Sequence, residues 1–204
     1  YRFDAGSRAT GQNLAWLAWL HLLMGVIDHR EDWIRSGTGT LFSTLHQTTG
    51  EGLQHDFSFH QHGSQYYSGG YGLHFTETIG NALFILHGTL YAPSPELEAL
   101  FIDFLLQGQR WITRGRTLNF LSLGRRIAVP DQNAESIGRI AARLADAGLQ
   151  PEKPLRALVS SIQDDTPLGS LDGIRMFFRS DVMVQYRPDF SFSLRATSFR
   201  LRGG

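Results

Sequence analysis

The sequence predicts a mainly α-helical chain that ends in antiparallel β-strands. Over most of the 204 residues, apolar side chains recur at the three- and four-residue spacing of helices. Beyond Gly173 the apolar period becomes two, which is typical of strands with one buried face. The alternating apolar side chains are Val182, Val184, Tyr186, Phe190, Phe192 and Leu194. We therefore divide the chain into a helical domain, residues 1–172, and a strand-forming domain, residues 173–204.

Helices alternate with glycine-containing segments in the first half of the chain. Residues 10–27 are apolar on nearly all sides, which indicates a helix buried by its neighbours. Residues 30–49 predict a short helix, a break at Gly37 and Gly39, and a second short helix. Residues 71–90 carry apolar side chains at helical spacing and predict the next helix.

Helix-start and helix-stop signals are clearer in the second half. Ser94–Pro95 is a start signal, because proline lacks the N–H group that the first helical residue leaves unpaired. Residues 133–148 predict an amphipathic helix with an asparagine cap and a glycine terminator. Residues 151–163 predict another helix, and residues 113–130 are irregular or contain a short strand.

Composition and charge exclude some classes of function. The 19 basic and 19 acidic residues cancel, so the chain has no general reason to bind nucleic acid or an anionic membrane. The absence of cysteine excludes disulfides and thiolate metal sites. The longest apolar run, Leu14–Ile27, is shorter than the roughly 20 residues that span a bilayer. No signal peptide or initiating methionine is present, so we expect a piece of a longer protein.

Asn13 is the first polar place that draws attention, because it stands at the front of the apolar helix of residues 10–27. An asparagine at a helix start is usually a cap, since its side chain accepts a hydrogen bond from a free backbone N–H. A functional role for Asn13 is the alternative.

The second polar place is the segment Phe57–Gly72, "FSFHQHGSQYYSGGYG", which has too many glycines for a regular element. It carries His62 and Tyr71, and a helix begins at or just after Tyr71. The free N–H groups of a helix start favour an anionic substrate or a tyrosinate. A histidine and a tyrosine can together act as base and acid.

Two other interpretations of this segment stay open. A metal site would use His55, His60, His62 and His74, but their spacing matches no tight zinc motif. The remaining interpretation is a simple polar surface.

The third polar place is an arginine-rich stretch within residues 113–130. Its arginines are Arg114, Arg116, Arg125 and Arg126. Arginine pairs in irregular chain can bind a carboxylate or a sulfate group, although arginines in loops are more often solvated.

Taken together and in this order, the three places resemble polysaccharide lyase family 8, which includes bacterial hyaluronate, chondroitin and xanthan lyases. Residues 10–13, "TGQN", resemble the family stretch T-G-A-N. Residues 57–72 resemble D-G-S-F-x-x-H followed by a tyrosine before glycine. Residues 119–127 resemble G-R-x-I-S-R, and residues 182–201 resemble the passage from the helical domain into a β-sandwich.

The resemblance implies an (α/α) toroid, incomplete in this chain, over residues 1–172, and the first strands of an antiparallel β-sandwich over residues 173–204. An aromatic stretch of the family is expected upstream of Tyr1, and a supporting glutamate is expected beyond Gly204. Val129 stands where the family often has a second arginine.

The resemblance also implies a carbon–oxygen lyase reaction, β-elimination at a uronic acid. Asn13 is expected to hold the substrate carboxylate, and Tyr71 to take the C5 proton and return it to the leaving O4. His62 is expected to share in abstraction or to contact the carboxylate, and Arg125 to help Tyr71 ionise. The other side chains expected to bind substrate are His60, Tyr67, Arg114, Arg116 and Arg126.

A glycosaminoglycan such as chondroitin or hyaluronan is the expected substrate, with alginate (polymannuronate) or a xanthan-type polymer as the alternative. No metal or organic cofactor is expected. We expect a monomer that is secreted or periplasmic, whose partner is an acidic polysaccharide and not nucleic acid or a membrane.

Two alternatives belong to other classes. One is a non-catalytic glycan-binding module on the same fold. The other is an α/α-toroid glycoside hydrolase, which needs two carboxylates, and Glu51, Asp56 and Glu77 lie near the segment Phe57–Gly72.

Three tryptophans could form a sugar-stacking floor: Trp16, Trp19 and Trp111. The favoured interpretation of Trp16 and Trp19 is core packing.

Overall fold

The computed structural model describes residues 8–128, 132–169 and 171–201. These ranges are mainly helical with small antiparallel sheets, so the predicted fold class is confirmed. The helices are α1 Gly11–Ile27, α2 Glu31–Ser43, α3 Tyr71–Leu86, α4 Pro95–Asp103, α5 Glu135–Asp146 and α6 Glu152–Gln163. The strands are β1 Gly52–Leu53, β2 Phe59–Gln61, β3 Gln65–Tyr66, β4 Thr113–Arg114, β5 Thr117–Leu118, β6 Gly173–Phe177, β7 Val182–Tyr186 and β8 Ser191–Arg195. Among the described helices, none has the length and apolarity to cross a membrane.

Helices α1 and α2 approach each other closely because glycines lie at their contact. A Cβ atom on Gly37 would lie 2.7 Å from the backbone nitrogen of Leu22, and one on Gly25 would lie 2.8 Å from that of Ile34. Helix α2 continues through Gly37 and Gly39, so the predicted break there is wrong. Gly37 allows two backbones to come together instead of ending a helix.

The segment between α2 and α3 contains a small antiparallel sheet in the order β1-β2-β3. Gln61 pairs with Gln65, and the residues between them form a tight turn. In this turn His62 has a φ of 59° and Gly63 a φ of 81°. The expectation of a segment without regular elements is therefore wrong. The strands are too short to show an alternating pattern in the sequence.

Residues 95–112 form one continuous helical run, and it begins where the sequence signal predicts. Helix α4 widens into a π-helical turn at Phe104–Gly108 and ends in a 3-10 turn at Gln109–Ile112. The hairpin β4–β5 follows, and then two 3-10 turns, Phe120–Ser122 and Gly124–Ala128. This outcome confirms the prediction of irregular chain with a short strand.

Helices α5 and α6 are confirmed, and the predicted end signals of α5 are in place. The side-chain oxygen of Asn133 accepts a hydrogen bond from the N–H of Glu135 at 3.0 Å. Gly148, with a φ of 84°, follows the end of α5. The two helices pack closely where Gly138 of α5 lies against Ile162 of α6.

Strands β6, β7 and β8 form an antiparallel sheet in that order. Its buried face carries Phe177, Val182, Val184 and Tyr186. Its other face is also apolar but exposed, and it carries Ile174, Met176, Phe192 and Leu194. The strands begin at Gly173, while a separate domain over residues 173–204 stays a prediction.

Candidate active site

Two of the three polar places come together where α1 begins. The backbone N–H of Gln12 donates to the side-chain oxygen of Gln61 at 3.0 Å, which joins the chain segments that carry Asn13 and His62. The side-chain amide of Gln12 donates to Thr78 of α3 at 2.9 Å. Asn13 is the third residue of α1 and not its N-cap, so its side chain is not needed to cap the start of the helix.

Glu51 ties the start of α1 to the turn that carries His62. Its carboxylate accepts hydrogen bonds from the hydroxyl of Thr10 and from the backbone N–H of Gly63, both at 2.6 Å, and from the side-chain amide of Gln61. The sequence indicated Glu51 only as a possible hydrolase carboxylate. No local signal could reveal its positioning role, because Thr10 lies far away in the sequence.

His62 and Tyr71 form the centre of the site. Their rings meet edge to face, with centroids 4.9 Å apart and planes at 87°. The Nε2 atom of His62 is buried and has no hydrogen-bond partner within the part of the chain that the structure describes. Tyr71 is the first residue of α3, where the backbone N–H groups have no partner within the helix. The ring of His62 thus lies against a tyrosine at the positive end of a helix dipole.

The ring of Tyr67 packs between the arginine-rich stretch and the start of α3. It lies 5.1 Å from the ring of Tyr71, and a Cβ atom on Gly124 would come within 2.7 Å of it. The N–H of Gly69 donates to the carbonyl oxygen of Ser122 at 2.8 Å. Gly124, with a φ of 55°, is followed directly by Arg125. The exposed Arg125 therefore lies one residue from the contact with Tyr67, whose ring packs on Tyr71.

Arg126 contacts α3 directly. Its guanidinium group hydrogen-bonds to Nε2 of His74, and Nδ1 of His74 lies 3.2 Å from a carboxylate oxygen of Glu77. Arg139 of α5 donates to the other oxygen of Glu77 at 3.1 Å. The hydrogen bond from His74 is the main reason why the pKa of the Glu77 carboxyl is lowered. No local sequence pattern predicts that His74 is the partner of Arg126.

The expected substrate contact of His60 is wrong because this side chain is inside the protein. It is 1% exposed, and its Nε2 atom lies 2.9 Å from the hydroxyl of Ser180. The hydroxyl of Ser180 donates to that of Ser58 at 2.7 Å, which donates in turn to Asp56 at 2.6 Å. Burial lowers the pKa of His60 to about 4. This buried polar chain connects β2 to the turn before β7.

The expected binding role of Tyr67 also needs correction. Its side chain is 2% exposed, because Gly70, Gly124 and Tyr71 surround the ring. Tyr67 supports the site from behind and has no free face for a sugar.

Arg114 and Arg116 lie apart from the His62–Tyr71 pair. Arg114 donates to the carbonyl oxygens of Arg187 and Pro188, each at 3.1 Å, and so binds the β7–β8 connection. Arg116 donates to the carbonyl oxygen of Gln163 at the end of α6, at 2.9 Å. The structure uses both guanidinium groups to join elements. Val129, the expected departure from the family motif, lies outside the described residues.

Trp16 belongs to the site and not to the core. It is 37% exposed, and its ring centroid lies 5.7 Å from that of Tyr71 and 5.4 Å from that of His74. The favoured expectation of core packing is therefore wrong for Trp16. Trp19 and Trp111 are partly buried and pack against the core.

The carboxylates that a hydrolase would need are hydrogen-bonded to other groups of the protein. Asp56 is buried and accepts hydrogen bonds from Ser58 and from the backbone N–H of Arg179. Glu51 and Glu77 are held by the contacts described above. Within residues 8–128, 132–169 and 171–201, no group of three or more histidine, aspartate and glutamate side chains is placed to hold a metal ion.

Residues 3–163 match the family model described as polysaccharide lyase family 8, N-terminal alpha-helical domain. The chain belongs to polysaccharide lyase family 8. The family expected from the sequence is thereby confirmed.

Known lyases of this type are similar to the chain and much longer. It is 27% identical to Chondroitinase-AC of Pedobacter heparinus over 157 residues, which make up 74% of this chain and 22% of that protein. A solved structure of chondroitinase AC lyase, studied as enzyme–oligosaccharide complexes, matches 95% of this chain and 29% of its own at a TM-score of 0.89 and 24% identity. Paenibacillus xanthan lyase matches 95% of this chain and 22% of its own, with a TM-score of 0.79 and 21% identity. The chain thus spans less than a third of the length of these relatives, and the likeness to the two solved structures shows the fold.

Proposed function

We propose that this chain is part of a lyase that cleaves a uronic-acid polysaccharide by β-elimination. The observation that carries the proposal is the edge-to-face pair of His62 and Tyr71, whose histidine Nε2 has no partner among the described residues. The turn that carries His62 is bonded to the start of α1, where Asn13 lies. A base, a proton donor and an amide are the groups needed to remove a proton next to a carboxylate. Membership of the family supports this function.

The proposed reaction uses four side chains. The amide of Asn13 hydrogen-bonds the uronate carboxylate and stabilises the negative charge that develops when C5 loses its proton. Tyr71, as tyrosinate, takes this proton, and His62 assists on the carboxylate side. The C4–O4 bond then breaks as the C4–C5 double bond forms, and Tyr71 returns the proton to the leaving O4. Arg125 stabilises the tyrosinate by its positive charge.

A glycosaminoglycan such as chondroitin or hyaluronan is the proposed substrate. Chondroitinase-AC and chondroitinase AC lyase are among the similar proteins, which supports this choice. A xanthan-type polymer or alginate is the second candidate, because a xanthan lyase is similar too and Val129 replaces the second arginine of the family motif.

We also propose the fold around the site, the location of the enzyme and its independence of cofactors. We infer that α1 to α6 form part of an (α/α) toroid and that β6 to β8 begin a β-sandwich. The enzyme is proposed to be a secreted or periplasmic monomer that needs no metal or organic cofactor.

Two rival functions make different predictions. A glycoside hydrolase needs an acid and a second carboxylate that face the substrate, whereas Glu51, Asp56 and Glu77 each bind protein groups. A glycan-binding module would bind the polysaccharide and release no unsaturated product.

The test uses the full-length protein that contains this chain and a panel of hyaluronan, chondroitin sulfate, xanthan, polymannuronate and polyguluronate. The measured signal is the ultraviolet absorbance of the new C4–C5 unsaturated uronate. We expect the wild type to act on at least one polymer and Tyr71→Phe to lose at least about 100-fold in kcat, because the proton carrier is gone.

Tyr91→Phe is the matched control, since Tyr91 packs on Arg35 away from the site. Its kcat should stay close to the wild-type value. Reducing ends without unsaturated product would favour the hydrolase, and binding without any cleavage would favour the glycan-binding module.

A further inference from the structure

The hydrogen bonds around His74 define one arrangement of protons. A guanidinium group only donates, so Nε2 of His74 must accept from Arg126 and carry no proton. Nδ1 then carries the proton, and this N–H group donates a hydrogen bond to the carboxylate of Glu77 at 3.2 Å. Glu77 thus fixes the neutral tautomer of His74 that can hold Arg126.

His74 and Tyr71 lie one turn apart on the same face of α3. The ring of Trp16 contacts both of them, so His74 is part of the wall next to the proton carrier. Because His74 lies three residues after Tyr71 on α3, its contact with Arg126 sets the position of Arg126 relative to Tyr71.

Arg126 and Ser122 attach the turn Gly124–Ala128 to α3 from both sides. Ser122 accepts from Gly69 just before α3, and Arg126 binds His74 within α3. Arg125 lies between these two attachments. Both flanks of Arg125 are thus bonded to residues on α3 or just before it, which limits how far the backbone at Arg125 can shift relative to Tyr71.

We propose that His74 and Arg126 are positioning residues that hold Arg125 against Tyr71 in the lyase reaction. The inference rests on the proposed function. It assigns Arg126 to His74 and not to the substrate, although the family resemblance led us to expect substrate binding. The hydrogen bond between a guanidinium group and a neutral imidazole is charge-assisted and therefore strong enough to fix the turn.

The test is a double-mutant cycle in the full-length enzyme with His74→Ala, Arg126→Ala and the double variant. We expect each single change to lower kcat about tenfold or more while KM changes less than about threefold, because the reacting proton and not the sugar grip is affected. The double variant should lose no more than the worse single variant, since both changes break the same contact.

Two further variants separate positioning from a loss of folding. His74→Gln keeps an oxygen that accepts from Arg126, so it should recover most of the lost kcat. Arg143→Ala removes a different arginine contact to α3, the hydrogen bond from Arg143 of α5 to the side chain of Asn81. Asn81 lies farther along α3 from Tyr71, so this variant should leave kcat unchanged. Urea unfolding of every variant compares their stability.

Independent, additive losses, or a rise in KM confined to Arg126→Ala, would overturn this inference while leaving the lyase intact. A stable His74→Gln variant as inactive as His74→Ala would also overturn it. If the wild type forms no unsaturated product from any polymer, the proposed function fails and the inference falls with it.

Discussion

At the scale of single residues, the candidate site consists of the proposed reacting groups and of side chains that hold their elements in place. His62, Tyr71 and Asn13 could be found because their residue types and order match a known pattern. Glu51 and His74 could not be given positioning roles, because their partners are distant in the sequence or lie on another element. His60 was misassigned, since a histidine two residues from His62 has no sequence mark that distinguishes a buried strand position from an exposed one.

His60 makes stability depend on pH in a defined direction. Its pKa in the folded protein is about 4, below the ordinary value of 6.5, so the unfolded chain binds this proton first as pH falls. Above about pH 6.5 the free energy of unfolding contains the full contribution of neutral His60, and this contribution is lost as pH falls toward 4. The loss amounts to about 3 kcal/mol, because each unit of pKa difference corresponds to about 1.4 kcal/mol.

Urea unfolding between pH 4 and pH 7 measures this dependence. His60→Gln, whose amide can still bond Ser180, should remove most of the fall in the free energy of unfolding over the window of about 6.5 to 4. Equal pH slopes for the wild type and His60→Gln would contradict the assignment.

At the scale of elements, helices with strong periodicity, such as α3, and helices that also carry end signals, such as α5, were predictable. Two kinds of element were not. The strands β1, β2 and β3 are too short to display a period, and they exist because their neighbours supply the hydrogen bonds. Helix α2 passes through glycines that a local interpretation takes for a break, because Gly37 is used for contact with α1.

Gly124 offers a test of how one turn supports the site. In Gly124→Ala the new Cβ atom would meet the ring of Tyr67 at 2.7 Å, and the left-handed φ of 55° adds strain of about 1 kcal/mol. We expect a loss of stability of about 2 kcal/mol or more and a lower kcat, because Tyr67 supports Tyr71.

The matched control is Gly88→Ala, which has a φ of 73° but nothing within 4 Å of the added methyl group. It should show only the strain and keep the wild-type kcat. Urea unfolding and steady-state kinetics on both variants provide the measurement, and equal effects of the two changes would argue against a special role for the Gly124 contact.

At the scale of the whole molecule, the mainly helical class and the change to strands near Gly173 were predictable from the change of period. Contacts between these parts were not. Arg114 binds carbonyl oxygens near Pro188, and Asp56 binds the backbone of Arg179. These pairings need the three-dimensional arrangement of both parts, which periodicity does not contain.

The buried hydrogen bond between His60 and Ser180 joins residues that are 120 positions apart. Closing so long a loop costs more entropy than forming a helix or a hairpin, so this contact should form late in folding. Strand β2, and with it the turn of His62, would then reach its final place only after the β6–β7 turn has docked. Ser180→Ala should accordingly speed unfolding and leave the folding rate nearly unchanged in stopped-flow measurements, whereas a slowed folding limb would place the contact in the folding nucleus.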